Sequence, residues 1–144
     1  MLYFAYGANM NPAAMRAMSP GARSAGTARL SQHRVAFVRD RYGFASGVAT
    51  VVADRSEQVW GILWSLGDDD LPALDVWEAH PIAYRRAGVT LFAPEPVRAW
   101  AYVATSTAPR APSREYLRGI LRGAEAFALP PEYRRCLRRW AEQT

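Results

Sequence analysis

The chain has 144 residues, half of them apolar, and it carries a formal net charge of +5. This length suits one compact domain with a proper hydrophobic core, so we expect a single domain spanning residues 1–144. All 18 positive side chains are arginine, scattered except near the carboxyl terminus, and no aromatic-interleaved basic groove accompanies them, so nucleic-acid binding is not expected.

Targeting and metal-binding signals are absent from the sequence. No segment resembles a signal peptide, and no apolar run approaches the roughly 20 residues of a membrane span, so we expect a cytoplasmic protein without membrane partners. Cys136 is the only cysteine, which excludes an intrachain disulfide and a cysteine-based zinc site. His33 and His80 have no metal-ligand neighbours at suitable spacing, so no metal site is expected.

The first part of the chain has the pattern of a strand, a turn and a helix. Residues 2–6 form an apolar and aromatic run that stops at Gly7. Asn11 is a typical N-cap residue, and Pro12 suits the first helical position because its missing N–H has no partner there. Five further strands are predicted between Asp, Gly and Pro residues: 34–38, 47–53, 58–66, 87–92 and 97–103.

Three more helices are predicted. One covers residues 71–78, inside the β-rich region, and follows acidic residues that suit a helix amino terminus. Ser113 can cap another, which we expect to end near Gly123. A pair of prolines at 130 and 131 opens the last, with a face of arginines that we interpret as solvated.

The helix at residues 71–78 places two carboxylates on an apolar face. Leu71, Leu74, Asp75 and Glu78 share one side of it by their spacing of three and four residues. A buried carboxylate is costly unless it is paired, hydrogen-bonded or protonated. Pairing of both carboxylates with Arg85 or Arg86, or with backbone N–H groups, is one explanation, which periodicity alone favours. The other is a carboxylate whose pKa is raised by burial and which exchanges a proton near neutral pH.

The turn from Tyr6 to Asn9 is the second candidate for a site. Gly7 permits close approach of the backbone, and successive N–H groups precede a helix, a geometry that can bind an anion. The alternative is a plain strand-to-helix turn in which Asn9 bonds to its own backbone. Trp77 and Tyr84 could line a pocket, although a core position is favoured for Trp77.

Several short motifs, in order along nearly the whole chain, resemble the gamma-glutamylcyclotransferase-like superfamily. They are YFAYGANM at 3–10, VWGILW at 59–64, LDVWE at 74–78, YR at 84–85, PSREYL at 112–117, GAE at 123–125 and LPPEY at 129–133. The resemblance implies an α+β fold with a small mixed β-barrel flanked by helices and with the site at one mouth.

The resemblance also assigns roles to individual residues. Glu78 would be the catalytic residue, taking a proton as the α-amine of a γ-glutamyl substrate attacks the γ-carbonyl and passing it to the departing amine. The products would be 5-oxoproline and a free amine or amino acid. No cofactor is implied, because nucleophile and electrophile belong to one small molecule. The implied substrate-binding residues are Tyr6, Gly7, Ala8, Asn9 and Tyr84.

Three departures from the family pattern concern the substrate. Ala8 stands where Ser is common, Ala79 stands where Gly commonly follows the glutamate, and a tyrosine found near Thr107 in some relatives is missing. The leaving group is therefore left open among γ-glutamyl amino acids, γ-glutamyl amines and γ-glutamyl-protected metabolites, and the oligomeric state is not defined. A non-catalytic module of the same fold, which binds a small ligand or a partner, is the alternative function.

Overall fold

A computed structural model describes residues 1–143, in which five strands form a closed barrel. The strands follow the spatial order β1-β3-β2-β4-β5, and the parallel pairing of β1 with β5 closes the barrel, whereas the other pairs are antiparallel. This confirms the predicted α+β fold with a small mixed β-barrel. The strand bounds are β1 Leu2–Ala5, β2 Arg23–Val38, β3 Val48–Ser65, β4 Tyr84–Phe92 and β5 Pro96–Ala104.

Helices flank the barrel, and two begin at the predicted caps. The side chain of Asn11 accepts a hydrogen bond from the N–H of Ala13 (3.0 Å), and that of Ser113 accepts one from the N–H of Tyr116 (3.1 Å). No helix within residues 1–143 has the length and apolarity needed to cross a membrane. The helices are α1 Pro12–Met18, α2 Asp70–Trp77, α3 Arg114–Ala126 and α4 Pro131–Arg138, with 3₁₀ helices at Ala8–Met10 and Arg139–Gln143.

The two central strands are longer than predicted. β3 runs without a break across 54–57, where polar residues had suggested a turn between two strands. β2 begins at Arg23, although only 34–38 had been predicted. Both errors have one cause, because the extra residues lie on a mostly exposed part of the β2–β3 pair and, apart from Leu30, carry no large apolar side chain of the kind that marks a strand in sequence.

Gly123 lies within helix α3 and does not end it, contrary to the prediction. A Cβ atom at this position would lie 2.5 Å from the carbonyl carbon of Met10. The missing side chain therefore allows α3 to pack directly on the 3₁₀ helix that follows β1. This contact holds the turn between Tyr6 and Asn9 against the body of the protein, where Met10 is fully buried.

Candidate active site

A cavity of about 870 Å³ opens where β1 and β5 end and where β3 and β4 begin. Its volume is in the range typical of small-molecule sites. The end of α2, the first turn of α3 and the loop between β2 and β3 complete its wall. The structure brings every predicted site residue to this one cavity: Tyr6, Gly7, Ala8, Asn9, Glu78 and Tyr84.

Glu78 is positioned by the way helix α2 ends. The N–H of Ala79 donates to the carbonyl of Val76 (3.1 Å), and the N–H of His80 donates to the carbonyl of Asp75 (2.8 Å). These two bonds form a Schellman motif, in which the residue after the C-cap adopts a left-handed conformation. Glu78 is the C-cap, and Ala79 has the corresponding φ of 52°. The chain therefore turns sharply here and leaves the Glu78 side chain on the cavity wall.

Replacing Ala79 with glycine is expected to stabilise the fold by about 1 kcal/mol. An alanine with a φ of 52° is strained by its Cβ, whereas glycine adopts this conformation freely. Chemical unfolding of both proteins measures the difference. Ala73 is an exposed residue inside α2, so Ala73→Gly is the matched control and should destabilise the protein by a similar amount. Equal losses in the two variants would contradict strain at Ala79.

The two carboxylates of α2 have different environments. Asp75 forms an ion pair with Arg86 and accepts a hydrogen bond from the hydroxyl of Tyr102 (2.6 Å). Glu78 has no ion pair among the described residues. The pairing that periodicity favoured therefore accounts for Asp75 but not for Glu78.

Burial raises the pKa of Glu78 from an ordinary 4.5 to about 7. The side-chain amide of Asn9 opposes this rise, because it donates a hydrogen bond to Glu78 Oε1 over 3.2 Å and so favours the ionised form. The desolvation is the larger effect. Glu78 is consequently close to half-protonated at neutral pH, which suits a group that takes and returns a proton.

Asn9 connects Glu78 to the barrel. Its side-chain nitrogen also donates to the hydroxyl of Tyr3 (2.9 Å), and its backbone carbonyl accepts from the indole N–H of Trp64 (3.0 Å). Both amide protons of the side chain are thereby used, one on each acceptor. The alternative that Asn9 bonds to its own backbone is wrong, because its side chain is directed at Tyr3 and Glu78.

Gly7 brings the turn close to β3. A Cβ atom at this position would lie 3.1 Å from the Cβ of Ala49, so a side chain here would press on the neighbouring strand. Gly7, Ala8 and Asn9 all line the cavity, and the 3₁₀ helix Ala8–Met10 follows at once. The first N–H groups of a helix have no acceptor within it, so this turn brings backbone donors to the cavity wall.

Tyrosines form much of the remaining wall and are neutral. Burial is the main cause that raises the pKa of each, and the nearby Glu78 carboxylate raises it further. Even the least affected, Tyr116, has a pKa of about 12. These side chains therefore add no negative charge to the cavity wall at working pH. They are Tyr3, Tyr6, Tyr84, Tyr102 and Tyr116.

Two of these hydroxyl groups hold the start of β3. Tyr84 donates to the carbonyl of Ala49 (2.7 Å), and Tyr116 accepts from the N–H of the same residue (3.1 Å). Tyr6 donates to the carbonyl of Tyr102. The hydroxyl of Tyr84 thus bonds to the backbone, and its ring is what lines the cavity. Within residues 1–143 no group of His, Cys, Asp and Glu side chains is arranged to hold a metal ion.

Sequence reasoning missed several wall residues and misplaced one. Tyr3, Tyr102 and Tyr116 were not predicted as site residues, although Tyr3 and Tyr116 lie within the family-like motifs. Trp77 is not a core residue, because 65% of it is exposed. Helix α2 ends at this residue, so its side chain lies beyond the apolar face formed by Leu71 and Leu74 and borders the cavity.

Known proteins of similar sequence and fold are gamma-glutamylcyclotransferases. A gamma-glutamylcyclotransferase of Bos taurus is 29% identical over 143 residues, covering 94% of this chain and 76% of that protein. The Homo sapiens gamma-glutamylcyclotransferase is 26% identical, and the alignment covers 95% of this chain and 77% of that protein. A solved structure named gamma-glutamyl cyclotransferase superposes with a TM-score of 0.90 at 26% identity, covering 96% of this chain and 86% of that one.

The family model described as "Gamma-glutamyl cyclotransferase, AIG2-like" matches residues 3–119. These residues include the five strands of the barrel, apart from Leu2 at the start of β1, and also the turn at residues 6–9 and Glu78, which meet at the cavity. The chain therefore belongs to the gamma-glutamyl cyclotransferase, AIG2-like family, which confirms the family and the enzyme type predicted from its sequence.

Proposed function

We propose that this chain releases 5-oxoproline from a γ-glutamyl compound, with Glu78 as the general acid and base. One observation carries the proposal above the others. Glu78 lies on the wall of the cavity without an ion-pair partner among the described residues, and burial raises its pKa to about 7. The cyclotransferase activity named for the similar proteins supports the reaction type.

The turn at Gly7, Ala8 and Asn9 supplies the donors for the glutamyl group. Its three residues line the cavity at the start of a 3₁₀ helix, and a set of successive N–H groups in such a turn binds a carboxylate well. Ala8 has no hydroxyl group, so the backbone donors hold the α-carboxylate without side-chain help from this position. Asn9 joins this cradle to the base, because its side chain holds Glu78 in place.

The chemistry needs only one proton carrier. The ionised Glu78 takes a proton from the α-amine as its nitrogen forms a bond to the γ-carbonyl carbon. The tetrahedral intermediate collapses when Glu78 returns that proton to the departing nitrogen, and the original amide bond breaks. Glu78 ends in its starting state and no water is consumed. The reacting groups belong to one molecule, so the cavity has mainly to hold the glutamyl chain in a bent, near-attack shape.

The test is the identity of the product. The protein is incubated with γ-glutamyl amino acids and γ-glutamyl amides, and mass spectrometry follows 5-oxoproline, glutamate and the freed amine beside an enzyme-free control. We expect 5-oxoproline and amine in equal amounts. Release of glutamate would mean hydrolysis, and binding without any release above the control would mean a binding module, so either result would contradict the proposal.

A further inference from the structure

Exposed aromatic side chains gather at the mouth of the cavity. Within residues 1–143, three aromatic side chains are more than 60% exposed, namely Tyr42 (67%), Phe44 (68%) and Trp77 (65%), and all three line this cavity. Scattered exposed apolar residues are ordinary on a protein surface. Three large aromatic side chains at one cavity mouth, by contrast, form an apolar patch of the kind that marks a binding surface.

The loop that carries two of these rings is held by a buried carboxylate. Asp40 is 8% exposed, and its Oδ2 accepts hydrogen bonds from the N–H groups of Tyr42 (2.9 Å) and Phe44 (3.4 Å). Gly43, with a φ of 79°, allows the tight turn between them. The backbone is therefore fixed at the two residues whose side chains remain exposed.

The charges on the cavity wall limit what that group can be. None of the described residues that line the cavity is Arg or His, and the chain contains no Lys. The carboxylates on the wall are Asp40, Glu78 and Glu115, of which Asp40 already binds the loop. The turn at residues 7–9 can hold one anion, and the α-carboxylate of the glutamyl group requires it. A second carboxylate, on the leaving group, would meet acidic side chains and find no cation.

We propose that the leaving group is an apolar or aromatic amine without a carboxylate, so the preferred substrates are γ-glutamyl amides of such amines and not γ-glutamyl amino acids. This inference rests on the function proposed above. The glutamyl group occupies the inner part of the cavity, between the turn and Glu78. The amine body lies outward, against the ring faces of Tyr42, Phe44 and Trp77.

Four substrates separate the two features of the leaving group. γ-Glutamyl-phenylalanine and γ-glutamyl-phenethylamide differ only by a carboxylate, as do γ-glutamyl-alanine and γ-glutamyl-ethylamide. γ-Glutamyl-phenylalanine differs from γ-glutamyl-alanine only by the phenyl ring, and the phenethylamide differs from the ethylamide in the same way. We expect the phenethylamide to have the highest kcat/KM for 5-oxoproline release. The ring and the absence of the carboxylate should each raise kcat/KM by roughly tenfold or more.

Variants connect the ring preference to the rim. Phe44→Ala and Trp77→Ala should each remove most of the advantage of the phenethylamide over the ethylamide, mainly through KM. Val76 is a matched control, because it precedes Trp77, is 82% exposed and does not line the cavity. Val76→Ala should keep the parent ranking of all four compounds.

The outcomes distinguish this inference from the function on which it rests. If none of the four compounds yields 5-oxoproline above the enzyme-free control, the proposed function fails and the inference fails with it. If 5-oxoproline appears but the amino acids are processed as well as the amides, or the ring gives no advantage, the function stands and the inference alone is wrong. Phe44→Ala and Trp77→Ala proteins that keep the full ring preference would also overturn it.

Discussion

Replacing Glu78 with glutamine is expected to lower kcat for 5-oxoproline release by about 10²- to 10⁴-fold. Glutamine has nearly the same shape, and its carbonyl oxygen can still accept the hydrogen bond from Asn9, but it cannot carry a proton. The turn that would hold the glutamyl group is unchanged. KM should therefore change little while kcat falls, and steady-state kinetics on a γ-glutamyl amide measures both.

Glu95→Gln is the control for this substitution. Glu95 is an exposed carboxylate between β4 and β5, away from the cavity, so Glu95→Gln makes the same chemical change outside the site. Activity at the parent level in Glu95→Gln, with matching circular dichroism of all three proteins, assigns the loss to the site. Parent-level kcat in Glu78→Gln would show that another group carries the proton.

The same residue is expected to make stability depend on pH. The pKa of Glu78 is about 7 in the folded protein, against an ordinary value of 4.5 for an unfolded chain. Between these values the folded state binds more protons, so the free energy of unfolding falls as pH rises. The difference between a pKa of 4.5 and one of about 7 corresponds to roughly 3 kcal/mol of the free energy of unfolding. This contribution is fully present below about pH 4.5 and is lost by about pH 7.5.

Urea unfolding of the parent and Glu78→Gln from pH 4 to pH 8 isolates this contribution. Other groups titrate in both proteins, so the difference between the two free energies is the quantity of interest. We expect the free energy of unfolding of Glu78→Gln to rise relative to that of the parent as pH rises. Above pH 7 the variant should be the more stable protein, although it is less active. A difference that stays constant across this range would mean that the pKa of Glu78 is ordinary in the folded protein.

Local features of the site could be predicted because local chemistry determines them. Asn11 and Ser113 cap their helices through short-range hydrogen bonds that the residue types themselves favour. The spacing of Leu71, Leu74 and Glu78 places the glutamate on the same face of α2 as the two leucines, and both leucines are buried as expected. The motifs then identified the barrel, which the alternation of residues alone did not define.

Other features depend on contacts between distant segments. Pairing with Arg86 could be predicted for the α2 carboxylates, but not that Asp75 alone would form the pair, because that outcome depends on how α2 meets β4. Trp77 was expected in the core, since an aromatic residue on a short helix is usually buried. Its exposure follows from the sharp end of α2 and from its position at the cavity mouth, which only the folded chain defines.

The pH dependence of kcat/KM tests the central claim most directly. If Glu78 takes the proton from the α-amine, it must be ionised in the free enzyme, so kcat/KM for a γ-glutamyl amide should fall on the acid side with an apparent pKa of about 7. An acid limb centred near 4.5, the ordinary value for a glutamate, or no limb between pH 5 and pH 8, would contradict a proton shuttle through a buried Glu78.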